Sequence, residues 1–227
     1  MNRLNGRSNF SHADFFLFGM ILASIVFSII YQMTGLHEAF SAAFALEDGP
    51  VEWGTAIALF LAAIVLFRNS AVLLRQRGLL AGLITLFYGM LFVFGAGEEI
   101  SWGQRIFNWE SGEYFLDKNY QQETNLHNLV VGEKQLTKTL FGPILTLVLL
   151  LYLVVLPLLY PRLSWVRTIT RVLHVPVPGL RHAFWALGAS LVIAALTMDR
   201  KWEVYEFVFG LLAISIFLSP QNSDEVT

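Results

Sequence analysis

The residues most capable of chemistry are carboxylates placed where a charge is expensive. Glu98 and Glu99 follow directly on the apolar run Phe-Val-Phe-Gly-Ala-Gly97, and Glu203 and Glu206 lie inside the last apolar run of the chain. An ionisable group in or beside a membrane-crossing stretch usually faces the interior of the helix bundle and marks a functional site. The dipole of a helix stabilises a carboxylate at the N-terminus by about 0.3–1 kcal/mol, which accounts for Glu52 and in part for Asp199. It opposes Glu98 and Glu99, which close a helix at its C-terminal end. Glu123 and His127 are four residues apart, so on a helix they point the same way. A carboxylate and an imidazole at that spacing either share a divalent metal or pair so that the imidazole is oriented.

These residues divide into two candidate sets. Glu98 or Glu99 would act as a general base, with Gln104 and Asn125 positioning substrate or an oxyanion and Arg105 pairing with Glu98. Glu123, His127, Glu203 and Glu206 would bind a divalent metal or stabilise charge. If the chain stays helical beyond residue 98, Glu98, Trp102 and Arg105 share a face; Asp199, Glu203 and Glu206, spaced i, i+4, i+7, would share another. Gln121, Gln122 and Asn128 complete a polar cluster that reads equally well as a folded cap over the helices.

The elements that position these residues follow from composition. Of the 227 residues, 56% are hydrophobic and 14% charged, with a mean hydropathy of +0.58. Soluble domains carry about 25% charge, so the balance excludes a disordered chain, a nucleic-acid partner and a conventional soluble enzyme. Six apolar runs near 15–34, 50–67, 79–97, 140–160, 183–198 and 202–219 predict an all-α, polytopic membrane helix bundle in one domain, because lipid offers an unpaired backbone no partners. A polar segment over 98–136 separates the third and fourth runs, which is long for a mere connection. Gly49-Pro50-Val51-Glu52 reads as a helix start, and Asp199-Arg200-Lys201 as a tight helical hairpin. No cysteine is present, which excludes disulfides and thiolate chemistry.

Placing both termini in the cytoplasm puts nine of the fifteen basic residues inside: Arg3, Arg7, Arg68, Arg75, Arg77, Arg162, Arg167, Arg171 and Arg181. The same topology, in a cytoplasmic (inner) membrane, leaves fourteen of the seventeen acids outside. The segment Ala43-Phe-Ala45 resembles a signal-peptidase site but lies too far past the first apolar run, so an uncleaved first helix is expected. Outer-side Trp and Tyr residues read as an interfacial belt, and His12, His174 and His182 as interfacial residues among cytoplasmic bases.

Three blocks, Glu47-Asp-Gly-Pro-Val-Glu-Trp53, Gly97-Glu-Glu-Ile-Ser-Trp-Gly-Gln-Arg105 and Glu123-Thr-Asn-Leu-His-Asn128, resemble an uncharacterised family of bacterial multi-pass membrane proteins. The resemblance implies a shared outer-face site and names no reaction. A looser similarity of arrangement is to the alkaline ceramidase and adiponectin-receptor membrane hydrolases, which gather acids and polar residues at helix ends around zinc. That zinc site includes a His-x-x-x-His pair in a late helix, where this chain carries Asp199-x-x-x-Glu203. Three functions compete: a hydrolase or transferase acting on a membrane lipid or lipid-linked substrate, an accessory subunit docking a membrane-protein partner on its acidic face, and a cation or proton transporter. Transport ranks last, since Glu203 and Glu206 are the only acids deep within a run and no inverted repeat is evident.

Overall fold

The computed structural model describes residues 11–227, so Arg3 and Arg7 lie outside the described residues. The fold is all-α, with seven main helices: α1 (His12–Thr34), α2 (Pro50–Gln76), α3 (Leu79–Glu99), α4 (Thr137–Leu159), α5 (Ser164–Val172), α6 (Leu180–Ala195) and α7 (Lys201–Leu218). A two-residue hairpin, β1 (Val130–Val131) with β2 (Lys134–Gln135), forms the single sheet among the described residues.

Of the six expected spans, four helices, α1 to α4, are long and apolar enough to cross a membrane. This is the composition and helix content of a membrane protein. Helix α6 is apolar but only 16 residues long, and the 18-residue α7 carries Lys201, Glu203 and Glu206 in its first two turns. Despite those charges α7 is the innermost helix: Val204, Val208, Leu211, Leu212, Ser215 and Ile216 are all buried. A helix apolar on every side belongs in a core.

Helix α2 packs between α3 and α7, while α1 and α6 cover the other side of α7. Glycines permit the close crossings, as expected where lipid gives helices no hydrophobic reason to associate. A Cβ at Gly210 would stand 2.9 Å from that of Ala58, and one at Gly54 would stand 2.8 Å from the Phe207 ring.

Sequence and structure differ at the end of α2 and within α4. Gly49 and Pro50 start α2 as expected, but α2 continues to Gln76, well past residue 67 where the apolar run ends. Two buried polar side chains find partners there and make the extension affordable: Asn69 Nδ2 donates to Phe217 O at 2.9 Å, and Ser70 Oγ to Gly82 O at 2.7 Å. Helix α4 contains wider, π-type turns at Thr137–Ile144 and Leu151–Val155. Pro143 and Pro157 lie in or beside them, each removing a backbone donor.

Candidate functional site

The site is organised by a break at the end of α3. Ser101 (φ 45°), Trp102 (φ 55°) and Gly103 (φ 78°) are all left-handed, so the helix cannot continue. Trp102 folds back onto Gly97, where a Cβ would meet its ring at 2.8 Å. The Trp102 indole Nε1 then donates to Glu98 Oε1 at 2.9 Å. The expected shared face of Glu98, Trp102 and Arg105 is therefore lost, and Glu98 does not pair with Arg105.

Arg105 instead gathers three acids. Its guanidinium binds Glu47 at 2.9 Å and pairs with Asp48 and Glu123. Glu47 also binds Arg200, again at 2.9 Å. The Arg105 guanidinium is partly buried, which works against its charge, but the hydrogen bonds and charges of Asp48 and Glu47 outweigh this and hold its pKa above the ordinary value. One end of the bundle is thus tied together, joining the turn before α2, the polar segment and the turn before α7.

Glu98, 5% exposed, is the anchor for the second polar block. Its Oε2 accepts the backbone N–H groups of Leu126 (2.6 Å) and His127 (3.1 Å). The His127 Nδ1 lies 3.6 Å from the same oxygen. Residues 123–128 form turns rather than a helix, so the expected one-face pairing of Glu123 with His127 does not occur. His127 takes Glu98 as its neighbour, rests edge-on against Phe141, and leaves Nε2 without a hydrogen-bond partner among the described residues.

Glu123 belongs to a separate amide network. It receives Ser101 Oγ in a short hydrogen bond and Asn125 Nδ2 at 3.1 Å. Asn125 uses its whole hydrogen-bonding capacity inside the protein. It donates to Ser101 Oγ as well (2.9 Å), and its Oδ1 accepts Asn119 Nδ2 (2.9 Å) and Asn128 N (3.3 Å). Gln104 Oε1 likewise accepts Ser111 Oγ at 3.0 Å and Thr124 N at 2.9 Å. Both amides hold the segment in shape.

The remaining acids meet between α2, α3 and α7. Glu99 lies within electrostatic reach of Glu206, Glu203, Glu52 and Glu98. Glu203 in turn feels Arg200 and His127. The carboxylates of Glu99, Glu203 and Glu206 make no hydrogen bond or ion pair among the described residues. One to three turns further along the same two helices, Phe92 of α3 stacks on Phe209 (6.1 Å between centroids) and meets Phe217 edge-on (4.9 Å). Acids thus cap an aromatic seam. Asp199 does not join Glu203 and Glu206 on one helix face, because Arg200 is left-handed and α7 starts only at Lys201.

Among the described residues, no three His, Asp or Glu side chains come together so as to hold a metal ion. The four expected ligands divide: Glu123 stands with Arg105, His127 with Glu98, and Glu203 and Glu206 with Glu99. Glu47, Asp48, Ser101 and Asn119 join the site without having been singled out as candidates. Glu47, Asp48 and Ser101 did carry a signal, since they lie in the first two of the three blocks.

The opposite end holds a polar chain that the sequence hid. Gly179 N donates to His182 Nδ1 at 2.8 Å, and His182 Nε2 lies 2.9 Å from Ser215 Oγ. Ser215 Oγ donates in turn to Asp14 Oδ1 in a short bond. Because Nδ1 accepts, Nε2 carries the proton, and every donor in the chain points toward the carboxylate. That direction is wrong for activating a serine nucleophile. His182, expected at the membrane interface, is fully buried.

No family model, no curated protein and no solved structure matches this chain.

Proposed function

We propose that the chain is an integral membrane hydrolase or transferase acting on a lipid or lipid-linked substrate at the non-cytoplasmic face. The observation that carries this reading is the Glu98–His127 pair beside the unpaired carboxylates Glu99, Glu203 and Glu206. In it, His127 Nε2 takes the proton of an attacking water or acceptor hydroxyl, and Glu98 steadies the imidazolium that results. Glu99, Glu203 and Glu206 bind hydroxyl or cationic parts of the substrate, and the Phe92–Phe209–Phe217 seam accepts its apolar part. Gln104, Arg105 and Asn125 are positioning residues, acting through Thr124, Glu123 and Ser101. The topology that goes with this has six spans, α1 to α4 with α6 and α7, and both termini on the cytoplasmic side of a bacterial inner membrane. Its support is the distribution of the basic residues, nine of fifteen on the cytoplasmic side, and the resemblance of the three blocks.

The fully used amide of Asn125, with the Gln104 Oε1 that accepts two bonds, favours a second reading, in which the segment is a structural cap and the acids dock a basic surface of a membrane-protein partner. Purified protein incubated with a bacterial lipid extract, followed by mass spectrometry, separates the two. The enzyme reading expects substrate loss with the wild type, slowed by about 10²–10⁴-fold in His127→Gln and weakened through a raised KM in Glu99→Gln, with both variants still folded. Unchanged rates in both variants would sink it. No conversion by the wild type, together with a stoichiometric membrane-protein partner, would replace it with the docking reading.

A further inference from the structure

The end of the bundle opposite the acids carries a second site, independent of the reaction proposed above. Helices α4 and α5 form a V whose apex is the turn 160–163. The V encloses an apolar groove of about 200 Å³, lined among others by Leu151, Val155, Leu159, Trp165 and Ile169. Helix α5 is amphipathic. Trp165 (59% exposed), Ile169 and Val172 (59%) are spaced i, i+4, i+7 and form an uncovered apolar stripe. Arg167 and Arg171 stand on the other side with Ser164 and Thr168. The C-terminal end of α5 is fixed to the bundle, since Leu173 O accepts Tyr88 Oη at 2.8 Å.

Two arginines crowd the apex. Arg162 Nη1 donates to Leu158 O at 2.6 Å and Arg167 Nη1 to Pro161 O at 3.2 Å. Capping of a last-turn α4 carbonyl explains one nitrogen of Arg162, and a carbonyl of the turn explains one of Arg167. A guanidinium has five N–H donors, and neither arginine has a carboxylate partner among the described residues. Arg171, by contrast, is paired with Glu225 at 2.8 Å. A second apolar groove of about 220 Å³ is lined by Met20, Phe27, Phe44 and Phe207 among others, and neither groove has a cation in its lining. The turn that carries Arg162 joins the two helices that line the first groove, and the Arg167 guanidinium reaches back to that turn.

We propose that the α4–α5 groove binds one anionic phospholipid, an acyl chain lying along Val155 and Ile169 and the phosphate held by Arg162 and Arg167. Phosphate recognition alone would need no groove, and an apolar groove alone would need no arginines. Their juxtaposition selects a ligand with both parts.

The test is native mass spectrometry of the full chain in detergent, titrated separately with phosphatidylglycerol and phosphatidylcholine. Two cations at an anionic lipid surface supply a preference of about thirtyfold, so the wild type should retain phosphatidylglycerol by at least tenfold over phosphatidylcholine. Arg162→Gln/Arg167→Gln, changes at exposed positions, should bring the two lipids to parity. Ile169→Trp, which fills the groove, should weaken both. Equal retention of the two lipids by the wild type would overturn the proposal, as would a preference that survives the double substitution. Displacement of the lipid by millimolar inorganic phosphate would also overturn it, because the site would then be one for free phosphate.

Discussion

Asn125 offers the sharpest test of how the polar segment is held. The side chain is 1% exposed and makes four hydrogen bonds. Asn125→Leu keeps the size and removes all four. Three of the partners retain another bond: Asn119 Nδ2 keeps Asn125 O at 2.9 Å, and Ser101 and Glu123 keep each other. Those three losses cost about 1 kcal/mol each. Asn128 N keeps no partner, and leaving a buried donor unsatisfied adds about 1–3 kcal/mol. The sum is about 4–6 kcal/mol. For a chain of this size each kcal/mol moves the melting midpoint by about 2–4 °C, so a fall of roughly 8–24 °C is expected. Thermal melting in detergent, followed by tryptophan fluorescence, measures it, with Glu133→Gln at an exposed position as control. Hydrogen exchange should speed up over residues 119–129 before the helices are affected. A midpoint within 2 °C of the wild type, with unchanged exchange, would refute the claim that this amide holds the segment together.

Gly210→Val should lower stability by about 1–3 kcal/mol through overpacking against Ala58. Ala58→Gly in the same chain should restore part of the loss in the same melt. Ser215→Ala should cost about 2–3 kcal/mol by removing the hydroxyl that links His182 to the buried Asp14 carboxylate, and a melt equal to the wild type would show that the chain is dispensable. Arg105→Gln should leave Glu47, Asp48 and Glu123 in mutual repulsion. Its melting midpoint should therefore rise with added salt, while that of the wild type holds or falls.

The helices were legible because lipid demands a simple solution: the apolar runs gave the first three main helices to within a few residues at most ends. Periodicity failed where a special backbone took over. Ser101 and Trp102 are left-handed without being glycine, and no propensity foretells that. The consequence was a misassigned partner for each of Glu98, Arg105 and His127. The extension of α2 past Arg68 was hidden for a different reason, since it rests on Asn69 reaching Phe217, a contact 148 residues away in sequence. The buried Asp14–Ser215–His182 chain was equally out of reach. Its local trace, the Ser11–Asp14 capping box, says only that a helix starts there.

The break at 101–103 also explains why two adjacent glutamates have different fates. Successive residues on a helix point about 100° apart, so Glu98 and Glu99 would diverge in any case. A helix continuing past Ile100 would carry the polar segment away and leave both carboxylates bare. The left-handed residues reverse the chain instead, so that Leu126 and His127 present their N–H groups to Glu98. Glu99, one residue on, receives nothing from the segment and turns toward the acids of α7. Two non-glycine residues held left-handed cost about 1–2 kcal/mol each, which the Trp102–Glu98 bond and the Asn125 network are large enough to offset. Strain of this kind persists where surrounding structure over-determines it. Here it separates a satisfied carboxylate, which sets the place of His127, from an unsatisfied one beside it.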